Sequence, residues 1–227
     1  MPLQYFVAGT DTGVGKTLVS VALLQAANAK GLSTAALKPI AAGCEHSPEG
    51  LRNEDALMLQ QAMSVELAYE QVNPVALEPP MAPHVAAGQV NKRITADRLA
   101  GFCRGVLMQR TDFVVVEGAG GWRVPLNERE TLAALPKLLN LPVVLVVGMR
   151  LGCLNHALLT AEAIARDGLP LAGWIANTID PEMPALEECI QTLEQTLPAP
   201  LLGHIPFLNN PDEIDSQTAL DIDKLLG

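Results

Sequence analysis

The 227-residue sequence predicts an α/β fold: a single domain over residues 1–227, with a mostly parallel β-sheet and helices on both faces. Three observations predict it. Short apolar or β-branched runs alternate with stretches of helical spacing along the chain, as successive βαβ units require. The runs Phe113 to Val116 and Val143 to Val147 are apolar throughout, as strands buried on both faces are. No repeat, low-complexity tract or linker divides the chain, and 227 residues is an ordinary length for one domain.

In order, the first strand covers residues 4–8 and runs into Gly9-Thr10-Asp11-Thr12-Gly13-Val14-Gly15-Lys16-Thr17. A helix over 16–30 follows, its apolar residues from Leu18 to Ala29 at helical spacing. A strand over 34–38 ends at Lys38-Pro39, and Asn53-Glu54-Asp55 opens a helix over 53–62. Residues 73–83, from Asn73-Pro74 through Pro79-Pro80 to Pro83, read as one irregular stretch, either a surface loop or a segment that covers a substrate. Further strands are expected at 112–117, 142–147, 171–176 and 201–204, and helices at 95–109, 131–139, 154–167, 183–196 and 216–226.

The composition narrows the partners. The net charge is −10 and no Lys/Arg run interrupts it, which argues against nucleic acid or an anionic membrane. The longest apolar run, Leu141 to Met149, contains Pro142 and Gly148 and is too short to span a bilayer. Cys44, Cys103, Cys153 and Cys189 are scattered, with no CxxC pair and no histidine cluster. Free thiols, no zinc and a reducing cytoplasm are therefore expected, and no secretory signal opens the chain.

The glycine-rich turn carries the first chemistry. A strand, a turn ending Gly15-Lys16-Thr17 and a helix form a phosphate cradle: backbone N–H groups converge on one spot, Lys16 adds a positive charge, and Thr17 offers a hydroxyl to Mg²⁺. A P-loop NTPase-like fold that binds ATP or GTP with magnesium is expected. The first glycine stands one residue further out than in the usual pattern, because five residues before Gly15 lies Thr10. The turn is thus a variant P-loop.

Ligands in open α/β sheets sit beyond the carboxyl ends of the strands, which selects further residues. Lys38, at the end of the second strand, faces the phosphates and is suited to stabilising charge on a transferring phosphoryl group. Glu117 ends the run Asp112 to Val116 as a Walker B acid does, and Gly118, Ala119 and Gly120 let the backbone approach a ligand. Asp55 is either a second metal carboxylate or a favourable first-turn acid. Leu151 to His156 precede a helix whose free N–H groups suit a carboxylate or ordinary capping. Asn177 is placed to read a base edge, and Gly203 to Phe207 to wall the base.

These residues occur in the segments GTDTGVGKT from Gly9, KPIAAG from Lys38, RNEDALMLQ from Arg52, VNPVALEPPMAPH from Val72, VVVEGAGGWRVPL from Val114, LGCLNHALLTAEAI from Leu151 and GWIANTID from Gly173. Together they resemble the dethiobiotin synthetases, from Val7 to about Glu213. The resemblance implies ATP-dependent ring closure of 7,8-diaminononanoate with CO2, through a carbamate and a carbamic–phosphoric anhydride. By matching motif it implies that Thr12, Gly13, Val14, Gly15, Lys16 and Thr17 hold the phosphates, with Gly118 to Gly120 beside them. Lys38 and Lys16 are the catalytic lysines, and Thr17, Asp55 and Glu117 hold magnesium. Asn177 reads adenine with Thr178 beside it, and Pro206, Phe207, Leu208 and Glu213 flank adenine and ribose. Thr12, Lys38 and Ala42 face the diamine. The family is homodimeric, and Gly152, Cys153, Leu154 and Asn155 match a substrate-carboxylate region contributed across the subunit interface.

Ala42 stands where the family commonly has Ser or Thr, so one substrate contact must be lost or replaced. Two other readings compete. Partitioning or septum-positioning ATPases share the variant loop but carry a lysine at the position of Asp11 and tend to carry a basic surface or tail; here Asp215 to Gly227 has one lysine. A glutamine-dependent amide ligase of the cobyrinate type needs a further amidotransferase domain.

Overall fold

The computed structural model describes residues 2–209 and 220–226. The chain runs β1 (Leu3–Gly9), α1 (Lys16–Ala29), β2 (Thr34–Leu37), β3 (Ile40–Ala42), β4 (Glu45–Ser47), β5 (Gly50–Arg52), α2 (Glu54–Ala62), α3 (Tyr69–Val72), β6 (Val75–Leu77) and α4 (Pro83–Gln89). It continues through α5 (Ala96–Leu107), β7 (Phe113–Gly121), α6 (Ala134–Leu139), β8 (Val143–Met149), α7 (Cys153–Arg166), β9 (Leu171–Thr178), α8 (Leu186–Thr196), β10 (Leu201–Ile205) and α9 (Asp223–Leu226).

Six strands form one parallel sheet in the order β10-β9-β8-β1-β7-β2. All seven residues of β8 are buried. Successive strand residues point to opposite faces, so both faces of the sheet are covered at its centre. The two neighbours of β1 are β7 on one side and β8 on the other. The strand order therefore reverses beside β1, where the crevice at the carboxyl ends of an open α/β sheet receives ligands. No described helix is long and apolar enough to cross a membrane.

All six expected strands are present, and four short strands join them. The stretch 73–83 is not one irregular segment. Val75–Leu77 pairs in parallel with Ile40–Ala42, Ile40 opposite Val75 and Ala42 opposite Leu77. Pro83 then opens α4, where a residue without an N–H is tolerated. β7 runs past its expected end at residue 117 through Gly118–Gly121. A Cβ at Gly118 would lie 2.9 Å from the Phe6 ring, so glycine lets the β1 and β7 backbones stay paired there.

Helix boundaries shift as well. α6 begins at Ala134 rather than at 131, because Thr131 is engaged in a bridge with Pro125. α8 begins at Leu186, and Met183 is instead held in a turn by its N–H bond to the Asp180 carbonyl. Of the helix expected over 216–226, Asp223–Leu226 is helical and 216–219 lie outside the described residues.

Candidate active site

The P-loop links the end of β1 to the start of α1. Its conformation depends on glycine at two positions. Gly13 and Gly15 have φ of 73° and 84°, and a Cβ at Gly15 would lie 2.2 Å from Asn177 Nδ2. Val14 is buried and anchors the loop, with Gly9 and Gly148 close against its methyl groups. Thr10 N–H donates to the Val146 carbonyl at 3.0 Å, fixing the loop to β8. No side chain caps the start of α1, so its first N–H groups remain for an anion. Asp11 points away from this centre: it accepts from Thr12 N–H at 2.7 Å and pairs with Arg150 at 2.6 Å.

Beside the loop lies a buried charge cluster. Leu37 pairs with Val116 in the β2–β7 ladder, which carries Lys38 and Glu117 to the same level at the sheet's carboxyl edge. The Lys38 ammonium contacts Glu117 Oε1 and donates to Asp55 Oδ2 at 2.8 Å. Thr17 Oγ1 donates to the same Glu117 oxygen at 2.9 Å. Asp55 comes from the first turn of α2, whose N-cap Asn53 accepts from Ala56 N–H at 3.3 Å. It is thus both a first-turn acid and a member of the cluster.

The electrostatics follow from this packing. Burial, and after it the neighbouring Lys38 ammonium, lower Lys16 to about 8 against the opposing pull of Glu117, Asp55 and Asp11. Burial also opposes the charge on Lys38, but Glu117 and Asp55 outweigh it and raise its pKa. Burial would raise Asp55, yet Lys38 holds it below the usual carboxylate range. Glu117 is fully buried, and its Oε2 has no hydrogen-bond partner among the described residues. A Thr hydroxyl, a half-exposed carboxylate and a buried carboxylate with a free oxygen make an oxygen-only donor set, which fits magnesium.

Lys16, Thr17, Lys38 and Asp55 open onto one cleft of about 890 Å³. Its wall includes Thr12, Gly13, Gly15, Lys16, Thr17, Lys38, Ala42, Asp55, Ala119, Gly120, Asn177, Thr178, Pro206, Phe207 and Leu208. Val14, Glu117 and Gly118 lie behind the wall, and Glu213 lies outside the described residues. Gly152 to Asn155 form the start of α7 and do not line this chain's cleft.

In the cleft wall, Asn177 Nδ2 donates to the Val14 carbonyl at 2.8 Å, and its buried Oδ1 has no partner among the described residues. Ala42 lines the same cleft, as do Met58 and Pro80 to Pro83. Sequence reasoning missed Met58, Val124 and Ile179 as wall residues; they read as ordinary core positions, and only the fold brings them to the cleft. Asn53 carried a signal, since Asn followed by two acids marks a helix start.

An AAA domain family model matches residues 3–214. The chain is 60% identical to the ATP-dependent dethiobiotin synthetase BioD of Cellvibrio japonicus over 222 residues, covering 98% of this chain and 97% of that protein. It is 55% identical to the enzyme of the same name from Marinobacter nauticus, covering 95% and 93%. Among solved structures it resembles the septum site-determining protein MinD from Pyrococcus horikoshii, with a TM-score of 0.56 at 15% identity over 97% of this chain and 88% of that one, a likeness of fold alone. Near-full-length identity at these levels, on a cleft that joins a variant P-loop to a buried Lys–Glu–Asp cluster, establishes that the chain belongs to the ATP-dependent dethiobiotin synthetases.

Proposed function

We propose that this protein closes 7,8-diaminononanoate and CO2 into dethiobiotin at the expense of ATP, releasing ADP and phosphate, in biotin biosynthesis. The observation that carries the reading is the position of Lys38. It stands between Glu117 and Asp55 and opens onto the same cleft as the P-loop. A space of about 890 Å³ accommodates a nucleotide together with a small second substrate.

The reaction needs a carboxyl carbon made reactive. One amine attacks CO2 and loses a proton, giving a carbamate, which is a poor electrophile. A carbamate oxygen then attacks the γ-phosphorus and the bond to the β-phosphate oxygen breaks, so ADP leaves. The second amine attacks the carbonyl carbon of the resulting carbamic–phosphoric anhydride and loses a proton, and phosphate departs as the ring closes. Lys16 and Lys38 stabilise negative charge on the phosphoryl group in transfer, and the start of α1 holds the phosphates. Thr17, Asp55 and Glu117 would hold magnesium, which would supply further neutralisation of the phosphate oxygens. The free Oδ1 of Asn177 accepts from an exocyclic amine, which adenine presents, while Pro206 to Leu208 flank the base.

The diamine lies toward Ala42 and Thr12. The start of α7 at Gly152 to Asn155 is read as serving the substrate carboxylate of a neighbouring subunit in a homodimer, in the cytoplasm. Asp11, at the position where the partitioning ATPases carry a lysine, pairs with Arg150 and favours the synthetase over such a switch.

Purified protein supplied with the diamine, bicarbonate and MgATP should form dethiobiotin and ADP in equal amounts, and EDTA should stop the reaction. ATP hydrolysis without dethiobiotin would overturn the reading.

A further inference from the structure

Lys38 is held in two different ways. Its N–H donates to the Val72 carbonyl at 2.8 Å and its carbonyl accepts from Asn73 Nδ2 at 2.6 Å, so its backbone is fixed. Its side chain reaches the oxygens of two carboxylates on separate elements, Glu117 on β7 and Asp55 on α2. Those carboxylates, with Thr17, are also the groups suited to a divalent cation, and Glu117 has no exposure through which solvent could screen its charge. An ammonium and a divalent cation on the same two carboxylates, one of them fully buried, repel each other at close range, where little water intervenes.

We propose that the Lys38 ammonium and the divalent cation are alternative occupants of the Glu117–Asp55 carboxylate pair, so that the metal–nucleotide, on binding, drives the lysine off these oxygens and toward the phosphates. The inference rests on the reading of Thr17, Asp55 and Glu117 as metal ligands. It makes Lys38 a placeholder that keeps a buried glutamate compensated until a stronger cation arrives. The same displacement opens the metal position and delivers a cation to the phosphoryl group. Because the backbone is pinned, the exchange is a side-chain rotation about a fixed Cα.

The test uses Mn²⁺ alone as probe, titrated into the full-length protein without nucleotide and followed by the electron paramagnetic resonance of free Mn²⁺. Lys38→Met removes the competing charge at similar volume. It is expected to bind Mn²⁺ at least about tenfold more tightly than the unaltered protein, and to gain more in melting temperature from Mn²⁺. Adding Glu117→Gln should abolish that gain. Where the methionine variant does not fold, Lys38→Gln, a neutral donor, carries the same comparison. Equal Mn²⁺ affinity in the lysine and methionine proteins overturns the competition. Mn–ATP binding unchanged by Glu117→Gln alone would remove Glu117 as a ligand, which separates failure of the metal reading from failure of the competition.

Discussion

Lys16 and Lys38 are both buried cations, yet they are kept charged by different means. Lys38 has two carboxylate partners, whereas among the described residues Lys16 donates only to the Asp11 carbonyl, at 3.1 Å. Replacing either with Ala removes a positive group from the phosphate site and is expected to lower kcat on the order of 10²-fold or more, with the circular dichroism spectrum retained. Wild-type turnover in Lys38→Ala would take that residue out of the reaction. Ala42 gives a finer test. It lines the same cleft as Pro80 and Met81, and with the diamine placed toward it as proposed, Ala42→Ser should act on that substrate. A neutral hydrogen bond contributes roughly 0.5–1.5 kcal/mol, so the diamine KM should change by up to about tenfold and the ATP KM hardly at all. A large change in the ATP KM alone would place Ala42 on the nucleotide side.

At the level of elements, Asp167 ties the loop after β7 to the end of α7. It accepts from the buried Trp122 indole at 2.8 Å and from Arg123 at 2.6 Å. Burial disfavours its charge, but these donors win and hold its carboxyl below the usual range. A carboxyl depressed on folding stabilises the protein above its unfolded pKa of about 3.9 and loses that contribution as the pH falls through the lower folded value. Asp167→Ala should therefore cost about 1–3 kcal/mol at pH 7, mostly through the unpaired indole N–H, with the exposed Arg123 partner adding little. The gap between the melting curves of the two proteins should narrow, without closing, in strong acid, since the unpaired indole persists there; an equal gap at pH 7 and pH 2 would exclude the linkage.

The sequence revealed elements in proportion to how far they repeat a pattern. Strands such as β8 announce themselves by uninterrupted β-branched runs, and the P-loop by glycines that only a close backbone approach requires. The pair β3 and β6 has three residues each, too few for a period, and forms only because the chain between them folds back. For the same reason Lys38, Asp55 and Glu117 could each be named as a candidate, while their mutual contact, across 79 residues in one case, could not.

Over the whole molecule, exposed leucines lie around the start of α7. Leu151 and Leu159 are 83% and 57% exposed, flanking the Gly152 to Asn155 turn read as serving a second subunit. If the protein forms the proposed homodimer through this face, it should sediment at about twice the 24.1 kDa chain mass, and Leu159→Asp should shift it toward a single chain and raise the diamine KM. An unchanged dimer would move the interface elsewhere.

Lys38 itself follows the last residue of β2, but its backbone partners, Val72 and Asn73, belong to the α3–β6 segment. Such a short segment opens at lower free energy than a six-stranded core. The amide proton of Lys38 should therefore exchange with deuterium at the rate of that segment rather than of β2. In rising urea, turnover should fade at a lower concentration than the far-ultraviolet signal of the sheet. Coincident midpoints would mean that the splint around residue 72 melts only with the core.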